Sequence, residues 1–352
     1  MKKISNILKC FTIIAIALNC IFAQVQNRAS ADSWCEVVIE KTSGRILCAK
    51  NENKKMPMAS TTKILTAITV IENFDLGKII TVPKCAAMVE GSSVYLKEGE
   101  KFTTLDLLYG LMLRSGNDCA ETLATTLTSS RAEFIELMNK TAKKCGAENS
   151  NFVNPHGLHD DEHYTTCLDL AKISAYAMQN PTFKKIVSSK SYIATELTAN
   201  EKRVWTNKNK MLTNFDGATG IKTGYTKKAG GCLVSSAERD GMELICVVLN
   251  HQPTYERSSQ ILNQAFEDYR LVKVIDSSKF DYFLPNKSKS KYFKLKVYGD
   301  EYYPIAKNES VKAQINLPEY LLNPPLGEQK IGEIKIFVSK QLIFSKNIYT
   351  LK

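Results

Sequence analysis

The sequence predicts an α+β fold, an antiparallel sheet packed by helices, followed by a small all-β domain. Three observations carry that prediction. Apolar stripes at helical spacing recur between residues 58 and 178, period-two strand patterns stand at 35–50 and 220–249, and after about Leu271 lysines alternate with apolar residues without helical periodicity. With 352 residues and 44% apolar content, the chain is long enough for two domains and a large core. The expected organisation is an N-terminal leader over 1–31, a larger domain over 32–270 and a β-rich domain over 271–352.

Taken in order, Lys2, Lys3 and Lys9 make a positive n-region before Cys10–Ala23, an apolar run too short to span a bilayer comfortably. This reads as an export signal cleaved after Ala23 or Ala31, which places the mature chain outside the cytoplasm, secreted or only peripherally bound. Cys35–Glu40 and Arg45–Lys50 read as strands joined through Lys41-Thr42-Ser43-Gly44. A helix is expected from Met58 to Ile71, because Ile64, Ala67, Ile68 and Ile71 fall at i, i+3, i+4 and i+7. Glu90–Leu96 reads as loop then strand. From about Thr104, Leu105, Leu108, Tyr109 and Met112 share one helix face, and the helix stops at Ser115-Gly116-Asn117. Further helices are expected over Asp118–Thr128, Arg131–Lys144 and Leu168–Met178, with a polar loop at Asn154-Pro155-His156-Gly157-Leu158. Gly220–Thr226 reads as a strand with a close-approach glycine, Gly231–Ala237 and Glu243–Leu249 as a hairpin across Glu238–Gly241, and Tyr255–Tyr269 as a helix. In the last domain Phe293, Leu295 and Val297 interleave with Lys294 and Lys296, and Ile334, Ile336 and Val338 repeat the pattern.

Charge and cysteine content narrow the function classes. A net charge of +11 favours anionic surfaces, but no nucleic-acid motif or aromatic-interleaved basic stripe accompanies it, so nucleic acid is not expected as a partner. Ten cysteines become eight once Cys10 and Cys20 leave with the leader, an even number that permits disulfides without requiring them. Cys119, Cys232 and Cys246 read as small buried apolar residues.

The chemistry-bearing pattern begins at Ser60-Thr61-Thr62-Lys63. Three-residue spacing puts both side chains on one helix face, where an amine can take the proton of a hydroxyl nucleophile. Alone it is weak, since Ser288-Lys289-Ser290-Lys291 repeats it with no apolar stripe behind it. Beside the first copy stand Ser115-Gly116-Asn117 and Lys222-Thr223-Gly224, in that order, and three such motifs mark serine acyl-transfer enzymes. With Leu107–Gly110, Asn154–Leu158 and Gly220–Thr226, the stretch from about Asp32 to Phe266 resembles the D-alanyl-D-alanine carboxypeptidases, the low-molecular-mass penicillin-binding proteins.

The resemblance implies the penicillin-binding/β-lactamase-like transpeptidase fold and a serine-type carboxypeptidase acting on peptidoglycan stem peptides, with β-lactams as covalent inhibitors. It implies Ser60 as nucleophile, Lys63 as base and Ser115 as proton relay, with Asn117, Lys222, Thr223, Gly224 and Tyr225 binding substrate and the backbone N–H groups of Ser60 and Tyr225 as oxyanion hole. No cofactor or metal is expected. His156, His159 and His163 have a spacing that could ligate zinc, but they sit in a proline-containing acidic loop without a helical stripe. Arg257 is the nearest candidate for an additional carboxylate-binding arginine, with a surface salt bridge as the plain alternative. The chain ends in strand-like Gln341–Phe344 where family members often carry an amphipathic membrane helix. Two other functions stay open: a β-lactamase, against which stands the lack of a Glu-x-x-Leu-Asn motif between Asn117 and Lys222, and a non-catalytic peptidoglycan-binding or sensing protein.

Overall fold

A computed structural model describes residues 34–322 and 327–351, so the export signal expected over 1–31 lies outside the described residues. The chain divides into two compact units, one holding the residues up to Ala237 with Leu244–Leu262, the other Glu238–Glu243 with Asn263–Lys352.

In the first unit, β1 (Cys35–Glu40) and β2 (Ile46–Lys50) form the expected antiparallel hairpin, with Gly44 at φ +68° in the turn. The helix expected from Met58 starts later. Ala59–Thr62 form a single 3₁₀ turn, and α1 runs Lys63–Asn73. The cause is local: Thr61 Oγ1 donates to the Met58 carbonyl at 2.6 Å and Thr62 Oγ1 to the Ala59 carbonyl at 2.9 Å, so two hydroxyls engage carbonyls within one tight turn. Of the expected stripe, Ile64, Ala67 and Ile68 have no exposed surface, as does Leu65 beside them, while Ile71 is partly buried against the core. Each such large side chain contributes roughly 1.5–3 kcal/mol, which anchors the turn at its base.

A small ribbon pairs β3 (Ile79–Thr81), which is followed by the short helix α2 (Lys84–Ala87), with β4 (Lys101–Thr103). The strand expected at Val94–Leu96 does not form. The N–H groups of Val94 and Leu96 donate to the Asp118 carboxylate at 3.0 and 3.1 Å instead of to a partner strand. Helix α3 (Thr104–Leu113) opens with a capping box between Thr103 and Asp106. Then α4 (Asn117–Thr126), α5 (Arg131–Lys144) and α6 (Cys167–Ala177) lie within a residue or two of their expected spans, with Ser130 and Thr166 capping the last two. Beyond β3, α2 and β4, which the sequence did not predict, four further elements are additional: α7 (Pro181–Ser188), the hairpin of β5 (Ser191–Glu196) and β6 (Glu201–Thr206), and the short α8 (Met211–Asn214). Strands β7 (Ala218–Thr226), β8 (Gly230–Arg239) and β9 (Met242–Leu249) precede helix α9 (Thr254–Asp268). The main sheet has the order β2-β1-β9-β8-β7, which leaves β7 at its edge. Between β8 and β9, Asp240 and Gly241 have φ +49° and +76°, the two positive values of a tight hairpin turn.

The second unit is all β in its extended segments, as expected. After β10 (Tyr269–Ile275) come β11 (Phe283–Pro285), β12 (Tyr292–Val297), β13 (Glu301–Ala306), β14 (Val311–Asn316), β15 (Lys330–Val338) and β16 (Gln341–Thr350). β10 pairs with β13, and the other five form a sheet in the order β11-β12-β16-β15-β14. Leu284, Leu295, Val297, Ile334, Ile336 and Ile348 make its core. The second Ser-x-x-Lys pattern, Ser288–Lys291, is an exposed turn between β11 and β12.

Candidate active site

Ser60 is half-buried on the 3₁₀ turn, and Lys63, one turn on, is fully buried as the first residue of α1. Lys63 Nζ lies 2.7 Å from Asn117 Oδ1, 2.6 Å from the His156 carbonyl and 3.1 Å from Ser60 Oγ. A neutral amine has two N–H donors and one lone pair. The two short contacts to pure acceptors use both donors, so the lone pair is left for the Ser60 hydroxyl proton. Burial lowers the Lys63 pKa well below its usual value, and the nearby Lys222 ammonium lowers it further. The three-way geometry and the electrostatics therefore agree on a neutral amine whose lone pair faces the Ser60 hydroxyl.

Each partner of that amine is itself held. Asn117, 3% exposed at the start of α4, donates from Nδ2 to the Glu90 carbonyl at 2.6 Å, so its amide is engaged at both ends and orients Lys63. Ser115, 6% exposed, occupies the turn before it at φ +66°. The loop that supplies the His156 carbonyl is shaped by Asn154, whose Oδ1 accepts from the Gly157 N–H at 2.7 Å while its Nδ2 donates to the Leu158 carbonyl at 2.9 Å. Gly157 has φ +89°, and a Cβ there would run into the Ala59 carbonyl, so only glycine lets this loop close on the nucleophile turn.

The histidines are each engaged by protein groups. His156 Nδ1 accepts from the Leu158 N–H at 3.1 Å, which leaves Nε2 to donate to Glu121 Oε1 at 3.0 Å. Burial alone would raise the Glu121 pKa, but the His156 bond and a forked contact from Arg131 hold it at about 2. His163 Nδ1 accepts from the Val153 N–H at 3.1 Å, so its Nε2 donates to Thr62 Oγ1 at 2.8 Å, beneath the nucleophile turn. Burial brings His163 down to about 3. His159 lies 3.4 Å from Asp161. The zinc reading needs these imidazoles turned toward one point, and no group of three or more metal-ligating side chains gathers among the described residues.

Strand β7 forms the opposite wall. Lys222 is 2% exposed, donates to the Thr223 carbonyl at 2.9 Å and has its pKa lowered to about 7 by burial and by Lys208. A Cβ on Gly224 would come within 3.0 Å of the Ser60 backbone nitrogen, so the glycine allows the edge strand to press against the turn. Thr223 is half-buried, whereas Tyr225 is 67% exposed. Ser60, Lys63 and Asn117 are thus linked by hydrogen bonds, and Lys222 reaches them through its charge. Arg257 takes the plain alternative: it makes a forked salt bridge to Glu36 at 2.6 and 2.7 Å. Spacing gave no sign of Lys208 or Glu121, and it singled out His163 only as a possible zinc ligand, not as a donor to Thr62.

Comparison with known proteins adds a consistent result. A family model described as D-alanyl-D-alanine carboxypeptidase matches residues 21–253. A D-alanyl-D-alanine carboxypeptidase of Bacillus subtilis is 34% identical over 242 residues, 66% of this chain and 62% of that protein, so the match spans just under two thirds of the relative. Penicillin binding protein 5 of Haemophilus influenzae superposes with a TM-score of 0.74 at 28% identity, covering 90% of this chain and 96% of that one. The D-alanyl-D-alanine carboxypeptidase DacD of Francisella tularensis gives 0.70 at 26% identity, covering 90% and 92%. With this match over residues 21–253, the chain belongs to the D-alanyl-D-alanine carboxypeptidase family of serine peptidases.

Proposed function

We propose that this chain removes the terminal D-Ala from peptidoglycan stem peptides through an acyl-enzyme on Ser60. The observation that carries this reading is the placement of the Lys63 amine, two donors spent on Asn117 and His156 and a lone pair facing Ser60 Oγ. Ser60 Oγ attacks the carbonyl carbon of the penultimate D-Ala while its proton passes to Lys63 Nζ. The developing oxyanion is met by the backbone N–H groups of Ser60 and Tyr225, each worth roughly 10²–10³ in rate. Collapse breaks the C–N bond, Ser115 relays a proton to the departing amine, and water then hydrolyses the ester. Lys222 and Thr223 receive the substrate's terminal carboxylate, Gly224 lets the peptide lie along the edge strand, and Asn117 adds to substrate positioning through its hold on Lys63.

In this reading residues 32–270 carry the chemistry and 271–352 form a separate β-rich domain. The enzyme works outside the cytoplasm, following the export signal, and its positive charge favours peripheral contact with anionic wall or membrane surfaces. Among the described residues no helix is long and apolar enough to cross a membrane.

Intact-protein mass spectrometry after penicillin treatment tests the reading: the expected result is a stable penicilloyl adduct on Ser60. D-Ala release from a pentapeptide by wild type and its loss in Ser60→Ala exclude the non-catalytic binder. Rapid penicillin turnover without a lasting adduct would turn the assignment toward a β-lactamase.

A further inference from the structure

Behind the catalytic elements lies a pair of sulfurs that the acyl-transfer chemistry does not use. Cys35 is the first residue of β1 and Cys167 the first of α6, both have no exposed surface, and their Sγ atoms are 2.8 Å apart. That separation is well inside the ordinary spacing of unbonded sulfurs, and a small side-chain adjustment brings it to the ~2.05 Å of a covalent bond. The two residues are 132 positions apart, so their meeting is a product of the fold and not of chain proximity. No catalytic or substrate-binding role in the proposed mechanism falls on either thiol.

We propose that Cys35 and Cys167 form a structural disulfide. The step is an exchange with a small-molecule disulfide such as oxidised glutathione. One cysteine thiolate attacks the oxidant's S–S bond and releases one reduced thiol; the second attacks the mixed disulfide and releases the other. Two protein S–H bonds and one oxidant S–S bond become one protein S–S bond and two small thiols. The two electrons move from the cysteines to the oxidant, and the two protons end on the released thiols. Because both sulfurs are sealed in the finished fold, the exchange belongs to folding, before β1 and α6 close together. Burial also raises the Cys167 pKa well above its usual value, so any thiol left in the folded chain is unreactive, and the lack of exposed surface at both residues keeps attacking thiolates from a completed bond.

The bond closes a covalent ring over residues 35–167, and that ring contains Ser60, Lys63, Ser115, Asn117 and His156. Its effect is on persistence of the site, through the reduced freedom of the unfolded chain.

The test uses the full chain, denatured, reduced and refolded in a mixture of oxidised and reduced glutathione, then alkylated under denaturing conditions and digested without reductant. A peptide pair joining Cys35 to Cys167 is expected, with Cys48, Cys85, Cys119 and Cys145 carrying the alkyl label. Label on both Cys35 and Cys167, or a link from either to Cys232 or Cys246, overturns the pairing. In addition, reductant should lower the melting temperature of the oxidised wild type by several degrees and leave a Cys35→Ala/Cys167→Ala double variant unmoved; equal responses overturn the structural role. If that variant does not fold, the wild-type peptide map decides. Neither readout depends on peptidase activity, so failure of the catalytic reading leaves this result separately legible.

Discussion

In the proposed mechanism Lys63 can serve as a base because burial and a neighbouring cation make its ammonium the costly form, and the direction of each effect yields a measurable shift. Removing Lys222 removes one cause of the lowered pKa, so the Lys63 pKa rises. In Lys222→Ala the acid limb of the kcat/KM profile for a pentapeptide should therefore move to higher pH, and the alkaline limb set by Lys222 near about 7 should vanish. The same change should lower kcat/KM for a substrate with a free carboxylate by about 10–10²-fold through a lost charged hydrogen bond; an unmoved acid limb would refute the account of how Lys63 is kept neutral. Glu121 sets a different pH limit. Its folded pKa of about 2 lies below the ordinary 4.5, so its stabilisation is complete above 4.5 and is lost as pH falls toward 2. His163, lowered from 6.5 to about 3, adds a second loss over the span from 6.5 down to 3, because there the unfolded chain takes up a proton that the folded one refuses. Melting curves between pH 7 and 3 should thus fall steadily in wild type, and in Glu121→Gln the portion below 4.5 should become shallower, leaving the His163 contribution.

Two loops without regular structure hold the catalytic elements in place. Gly157→Ala would push a methyl group into the Ala59 carbonyl from a left-handed backbone, so the nucleophile turn must give way. The expected outcome is a loss of acylation rate by 10²-fold or more, on the order seen for small misplacements of reacting groups, with a near-native far-UV spectrum. Asp118→Ala would leave the buried N–H groups of Val94 and Leu96 without their acceptor, costing roughly 2–4 kcal/mol by urea unfolding. These loops also show where sequence reasoning stops. The helical stripe of Ile64, Ala67 and Ile68 is visible because its period repeats, and so are the strands either side of Asp240-Gly241. The Val94–Leu96 segment looks like a strand because alternation cannot reveal that a carboxylate two dozen residues away claims its donors. The β5–β6 hairpin hides for the opposite reason: Ile193 and Val204 are exposed while Glu196 turns inward to accept backbone N–H groups from Lys101, Thr198 and Ala199. Its apolar pattern points the wrong way.

For the molecule as a whole, the positive net charge, +11 for the full chain and still positive once the leader's lysines leave, predicts adsorption to anionic peptidoglycan or vesicles that weakens as salt rises, since the screening length falls from about 10 Å at 0.1 M to about 3 Å at 1 M; a sedimentation assay across that range checks it. The fold class and the three motifs that mark the family were legible because each rests on local spacing. The Arg257–Glu36 pair was not, because it joins residues 221 positions apart, and the Lys208 charge beside Lys222 was not, because no local period or motif links the two lysines. The edge position of β7 has one more consequence. In the proposed mechanism a peptide laid along that edge is read through its backbone, which is the same whatever side chains it bears, and only its charged end meets Lys222. Selectivity should then concentrate at the C-terminal residues, and stem peptides that differ in their third amino acid should be turned over with kcat/KM values within about tenfold of one another. Such an enzyme would tolerate variation in wall chemistry, and would discriminate by where the chain ends.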